Sequence, residues 1–199
     1  MLRSWAVGLV LLLPSVAGAF SYSEGANGDL SGDRLNPTAL VASVGANTLS
    51  GSTIGGDLEY VRISLPAGLQ LGSLILDSVA STDDVAFIAM QAGTIFTVTP
   101  STATESALLG YAHFGTGPTA GGATPGNDML DDMCGAAGAI GCTPPLMGSD
   151  YTFWIQQNFP IPFAYSFSFV ATPVPEPGTC ALLGLGVLGL GAMRRISGP

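Results

Sequence analysis

In the stretch FAYSFSFVA, Phe163, Tyr165, Phe167 and Phe169 take alternate positions, with Ala164, Ser166 and Ser168 between them. Side chains of a strand alternate between faces, so this segment presents four rings to a core and small polar groups to the other side. The same period of two recurs in YTFWIQQN, where Tyr151, Phe153 and Ile155 oppose Thr152, Trp154 and Gln156. It recurs again in LEYVRISLPAG, where Val61, Ile63 and Leu65 alternate with Arg62 and Ser64 before the break at Pro66, Ala67 and Gly68. No segment between Ser21 and Pro173 sustains an apolar period of 3.6. Further strands are expected at 38–44, 69–79, 85–91, 94–99 and 107–114, separated by Gly, Pro, Asn, Asp and Ser, and the two latest aromatic strands are expected to form a terminal hairpin. The fold class is therefore all-β, an antiparallel β-sandwich or jelly roll over residues 20–172, flanked by an N-terminal signal helix and a short hydrophobic C-terminal helix.

Charge narrows the partners. Only 10% of residues are charged, against about 25% in ordinary soluble chains. There is no lysine, and between residues 20 and 173 thirteen carboxylates face two arginines, Arg34 and Arg62, a net charge of −11. Such a surface repels phosphate backbones, which excludes nucleic acid as a partner, and it attracts divalent cations.

The first residues, MLRSWAVGLVLLLPSVAGAF, place Arg3 before an apolar run, then Pro14, then Ala17-Gly18-Ala19. This order reads as a secretory signal peptide over 1–19, with Ala17 and Ala19 filling the pockets of signal peptidase and cleavage after Ala19. Export makes disulfides permissible, and Cys134 and Cys142, eight positions apart in DDMCGAAGAIGCTPP, are expected to pair. They lie in the longest irregular stretch, 115–149; Cys180 has no evident partner.

Catalytic sets are thin. The single histidine, His113, at a strand end beside Phe114, reads as structural or solvent-facing, and one histidine supports neither a triad nor a His-rich metal site. Carboxylate-pair hydrolysis would have to draw on Glu24, Glu59 and Glu105. GLGVLG at 184–189 matches the dinucleotide fingerprint by letters alone, since no strand precedes it and no acidic residue follows. The acidic residues form a better candidate. Calcium takes six to eight oxygen ligands and tolerates loops, and Glu24, Asn27, Asp29, Asp57 and Glu59 could supply a set if the N-terminal segment folds over the strand near residue 58. Solvating surface charges are the alternative. Asp128, Asp131, Asp132 and Asp150 form a second acidic group without EF-hand spacing.

At the C-terminus, Val174-Pro175-Glu176-Pro177 precedes an apolar run from Cys180 to Met193 and then Arg194-Arg195. This three-part order, over 173–199, resembles the PEP-CTERM sorting signal of Gram-negative bacteria. In that family Pro175, Glu176 and Pro177 correspond to the element recognised by exosortase, a membrane processing enzyme. The resemblance implies a non-catalytic exosortase substrate, sorted to the cell surface or matrix and associated with exopolysaccharide and biofilm. Fourteen apolar positions make a helix of about 21 Å, short of the roughly 30 Å hydrocarbon core, so inner-membrane association is expected to be transient, with the arginines on the cytoplasmic side.

Residues 21–172 resemble the bacterial pre-peptidase C-terminal type of β-sandwich, through the Glu24, Asn27 and Asp29 opening, the segment GGDLEYVRISLPAGLQL and the late YTFWIQQ strand. Glu59 and Val61 depart from the family's second acidic and following aromatic positions. That likeness implies an accessory or adhesive module with calcium as its one candidate cofactor. Two further functions are carried beside the surface protein: a calcium-dependent carbohydrate-binding module stacking sugars on Trp154, and a secreted hydrolase.

Overall fold

A computed structural model describes residues 18–117 and 122–175. Most of the expected signal helix, with Ala17, and the tail from Glu176 onward, with Pro177, Arg194, Arg195 and the expected apolar helix, lie outside the described residues. The strands are β1 (Ser21–Ser23), β2 (Thr38–Val41), β3 (Gly45–Thr53), β4 (Leu58–Ser64), β5 (Leu69–Ala80), β6 (Val85–Ala92), β7 (Gly110–Gly115), β8 (Leu146–Met147), β9 (Asp150–Gln156) and β10 (Phe163–Pro173). Two short helices, α1 (Glu24–Asn27) and α2 (Leu130–Cys134), join them.

The strands form two five-stranded sheets, ordered β1-β3-β10-β5-β8 and β2-β4-β9-β6-β7. They pack as a β-sandwich, as the alternation requires: the aromatic face of β10 and the Tyr151, Phe153 and Ile155 face of β9 enter one core with Leu49, Val61, Ile63, Leu74, Leu76 and Phe114. Phe114 meets Phe163 and Phe167 edge-on at 5.5 and 5.1 Å between ring centroids, the arrangement aromatic quadrupoles favour.

The topology departs from expectation in three places. First, β9 and β10 are not a hairpin, since they belong to opposite sheets. Each carries a full apolar face, and two such faces are buried when they meet across the core, as Phe153 and Phe169 do at 5.2 Å. Second, the sheets are mixed, because β1 runs parallel to β3 and β2 parallel to β4. The chain alternates between sheets through β1, β2, β3 and β4, so each second strand returns to its sheet in its original direction. Third, 94–99 is not a strand. Its backbone bonds elsewhere: Phe96 N–H donates to Arg34 O at 2.8 Å and Thr97 N–H to Gln91 Oε1 at 2.7 Å. Phe96 is fully buried on the outer face of the second sheet, where it joins Tyr60, Ala89, Leu108 and Trp154 in a small second core. The nine-residue β3, whose sequence GANTLSGST reads as turns, lies between β1 and β10 and is held by the ladder to β10.

Cys134 and Cys142 are disulfide-bonded, with Cα atoms 4.6 Å apart. The bridge fastens the chain after α2, whose Leu130 and Met133 are buried in the main core.

The two ends of the described chain meet one pole of the sandwich. Phe20 packs 6.4 Å from the ring of Phe169, and Val174 N–H donates to Gly68 O at 2.8 Å. The opposite pole holds the start of β10, the start of β4 and the end of β9.

Candidate functional site

At that opposite pole the alternation of β4 has a chemical cost. Tyr60 points outward to the small core, so Glu59 shares the inward face of Val61 and Ile63. Its carboxylate is fully buried between the sheets. Oε2 accepts a hydrogen bond from the Tyr165 hydroxyl, and Oε1, also buried, accepts none; the Glu24 carboxyl lies within hydrogen-bond reach of the Glu59 carboxyl when one of the two holds a proton. A buried carboxylate with an unpaired oxygen is expensive unless a proton or a cation neutralises it. Burial, reinforced by the negative charges of Glu24 and Asp57 and partly offset by the Tyr165 bond, pushes the Glu59 carboxyl up to about 9. The Tyr165 hydroxyl is raised as well, by burial and then by the charge of Glu59.

The N-terminal segment folds over this carboxylate. β1 docks beside β3 and α1 follows at once, which brings Glu24 above the core. Glu24 Oε2 accepts from Ser52 N–H at 2.7 Å and Oε1 from Leu30 N–H at 3.1 Å. Burial raises the Glu24 carboxyl despite these two bonds, with the charge of Asp29 adding to the rise. Gly51 makes the approach possible: a Cβ there would lie 2.7 Å from the Glu24 carboxyl carbon and 2.9 Å from the Tyr165 hydroxyl.

Glu24, Asp29 and Glu59 thus offer carboxylate oxygens that all lie within 4.8 Å of one another. Of the other two residues expected in a calcium set, Asp57 contributes electrostatically, its carboxyl raised by burial and by the charge of Asp29. Asn27 turns its Oδ1 to Ser23 N–H at 3.0 Å. Two carboxylates, Glu24 and Asp29, beside the buried Glu59 carboxyl, with no cationic side chain among the groups that perturb Glu59, are hard-oxygen chemistry suited to calcium. Sequence reading found the acidic residues and missed Tyr165 and Gly51, whose roles arise only when β3 and β10 pair.

The second acidic group is dispersed. Asp128 Oδ1 accepts from Leu74 N–H and Leu130 N–H, both at 3.0 Å, pinning α2 to β5. Asp150 bonds Ser64 Oγ and lies 3.8 Å from the Arg62 guanidinium. Trp154, expected as a sugar platform, is only 3% exposed beneath the 93–109 segment, and the rings that reach the surface beside it are Phe87, Tyr111 and His113.

Residues 173–195 match the PEP-CTERM protein-sorting motif. The match begins where β10 ends, at Pro173. It marks the chain as a protein exported and sorted to the cell envelope or surface and processed by exosortase. No curated protein and no solved structure matches the chain.

Proposed function

We propose that this chain is a secreted, non-catalytic surface protein of the exopolysaccharide or biofilm matrix of a Gram-negative bacterium, delivered by signal peptidase and exosortase. The observation that carries the reading is the direct passage from the last strand of the sandwich into the sorting motif at 173. Its likeness to pre-peptidase C-terminal sandwiches, drawn from sequence, agrees with an accessory or adhesive role. The non-enzymatic part is supported by what the candidate catalytic residues do: His113 packs against Phe87 at the surface, and Glu59 has no access to a substrate. Mass spectrometry of the secreted protein tests the delivery route. Both ends are expected to be trimmed, near Ala19 and near Pro175; an intact tail on the secreted form refutes processing.

A second reading, a calcium-dependent module, is favoured by the buried Glu59 carboxyl beside Glu24 and Asp29. Calcium would draw those three carboxylates together and fix the N-terminal segment on the sandwich. Calcium is expected to raise the melting temperature of the wild type and not of Asp29→Asn. Titration calorimetry with no heat and no thermal shift removes this reading.

A further inference from the structure

The outer face of the second sheet carries a separate groove of about 310 Å³. It opens where the 93–109 cover stops short of β6, β7 and β9, and it is lined by Phe87, Tyr111, His113, Trp154, Gln156 and Glu105. Cross-strand register builds it: Phe87 is opposite both His113 and Gln156, so an aromatic residue, an imidazole and an amide stand side by side.

Four properties define what fits. The rings are fixed before any ligand arrives, because Phe87 and Tyr111 stack at 6.0 Å and the Tyr111 hydroxyl donates to Ala137 O at 2.8 Å. Trp154, only 3% exposed, backs the groove from beneath, its ring edge-on to Phe87 at 5.1 Å. The Gln156 amide has no side-chain hydrogen bond among the described residues. The charge of the lining is acidic, from Glu105, and the adjoining hollow, which shares Tyr111 and His113, adds Asp131 and Asp132.

Ring faces beside isolated donors and acceptors suit a ligand that is itself amphipathic, with C–H faces and hydroxyl edges. A pyranose has that pattern. The carboxylates reject uronate or sulfated sugars and accept uncharged or amino-bearing ones. We propose that this groove binds a glycan strand free of anionic groups, held on Phe87 and Tyr111 and hydrogen-bonded by Gln156. The site is distinct from the acidic cluster between the sheets, so binding persists in chelator. The proposal rests on the surface-protein reading only for the glycan's availability.

Trp154 is the one tryptophan after residue 19, so its emission reports on the groove of the mature secreted protein. Titration with uncharged hexose and N-acetylhexosamine oligomers is expected to give a saturable emission change, and uronate oligomers none. Gln156→Ala and Tyr111→Ala are each expected to weaken binding by about tenfold or more, the loss of one well-made contact. Tyr111→Phe, which keeps the ring stacked on Phe87 and loses only the bond to Ala137 O, is expected to bind more tightly than Tyr111→Ala, and thermal melts verify that every variant is folded. No saturable change with any uncharged oligomer, equal binding by Gln156→Ala, or a preference for uronate overturns the inference. A protein that is trimmed and secreted yet silent in this titration refutes the groove alone; one that binds glycan while keeping its tail refutes the delivery route alone.

Discussion

Tyr165, on β10, donates its hydroxyl to the buried carboxylate of Glu59, on β4, and so joins the two sheets at the pole where the acidic cluster sits. Removing the donor leaves the buried Glu59 carboxyl without the hydrogen bond that Oε2 accepts. Tyr165→Phe is expected to lower stability by about 2 kcal/mol, the cost of an unsatisfied buried acceptor, as read in urea unfolding without calcium.

Glu59→Gln should act in the opposite direction. In calcium-free buffer at pH 7 the wild type must hold a proton on a group raised to about 9, while the unfolded chain releases it near the ordinary carboxylate value. The neutral amide keeps the acceptor for Tyr165 and avoids that burden. A gain on the order of 3 kcal/mol is expected, together with loss of any calcium-induced stabilisation.

The same group sets a pH dependence. Its folded value lies above its unfolded value, so the folded state binds the extra proton, and its contribution is fully present below about pH 4.5. It is then lost as pH rises toward about 9. Calcium-free melting temperatures of the wild type are expected to fall over that window relative to Glu59→Gln, and calcium, which competes with the proton, should stabilise more at its alkaline end. Parallel curves for the two proteins would refute the assignment.

Reduction of the Cys134–Cys142 bridge frees a small loop beside α2. Loop-closure entropy puts the effect at about 2 to 3 kcal/mol. Melts with and without reductant are expected to differ accordingly, with Cys142→Ser matching the reduced protein.

Gly115, the last residue of β7, pairs with Val85 at the start of β6. A Cβ there would fall 1.7 Å from Asp84 O, a backbone atom that cannot swing aside. Gly115→Ala is expected to cost more than about 3 kcal/mol or to prevent folding, visible as loss of cooperative unfolding. Gly32→Ala, whose nearest atom would be 3.5 Å away, serves as the tolerated comparison.

The sandwich was legible because burial on one face imprints a period of two, and β9 and β10 carry it nearly without interruption. Their pairing was not, because alternation states which face is buried and leaves open whether the partner lies beside the strand or across the core. β3 escaped notice for a related reason: Asn47 and Thr53 are held by ladders and by side-chain bonds that leave no apolar trace. The candidate metal residues were readable as carboxylates near β4, yet the inward turn of Glu59 depended on Tyr60 taking the outer face. Trp154 misled for the converse reason, since nothing in YTFWIQQ announces that 93–109 will lie over it.

Phe20 and Val174 leave the sandwich at one pole, and this has a mechanical consequence. During export, a chain held at both ends would hang from the membrane like a bucket from its handle, with both attachments drawing on the same side. The pull would fall on β1 and the end of β10, near Phe169 and Gly68. The pole that holds the start of β4 and the end of β9 at Gln156 would face away from the membrane, so severing either strap would leave that pole undisturbed.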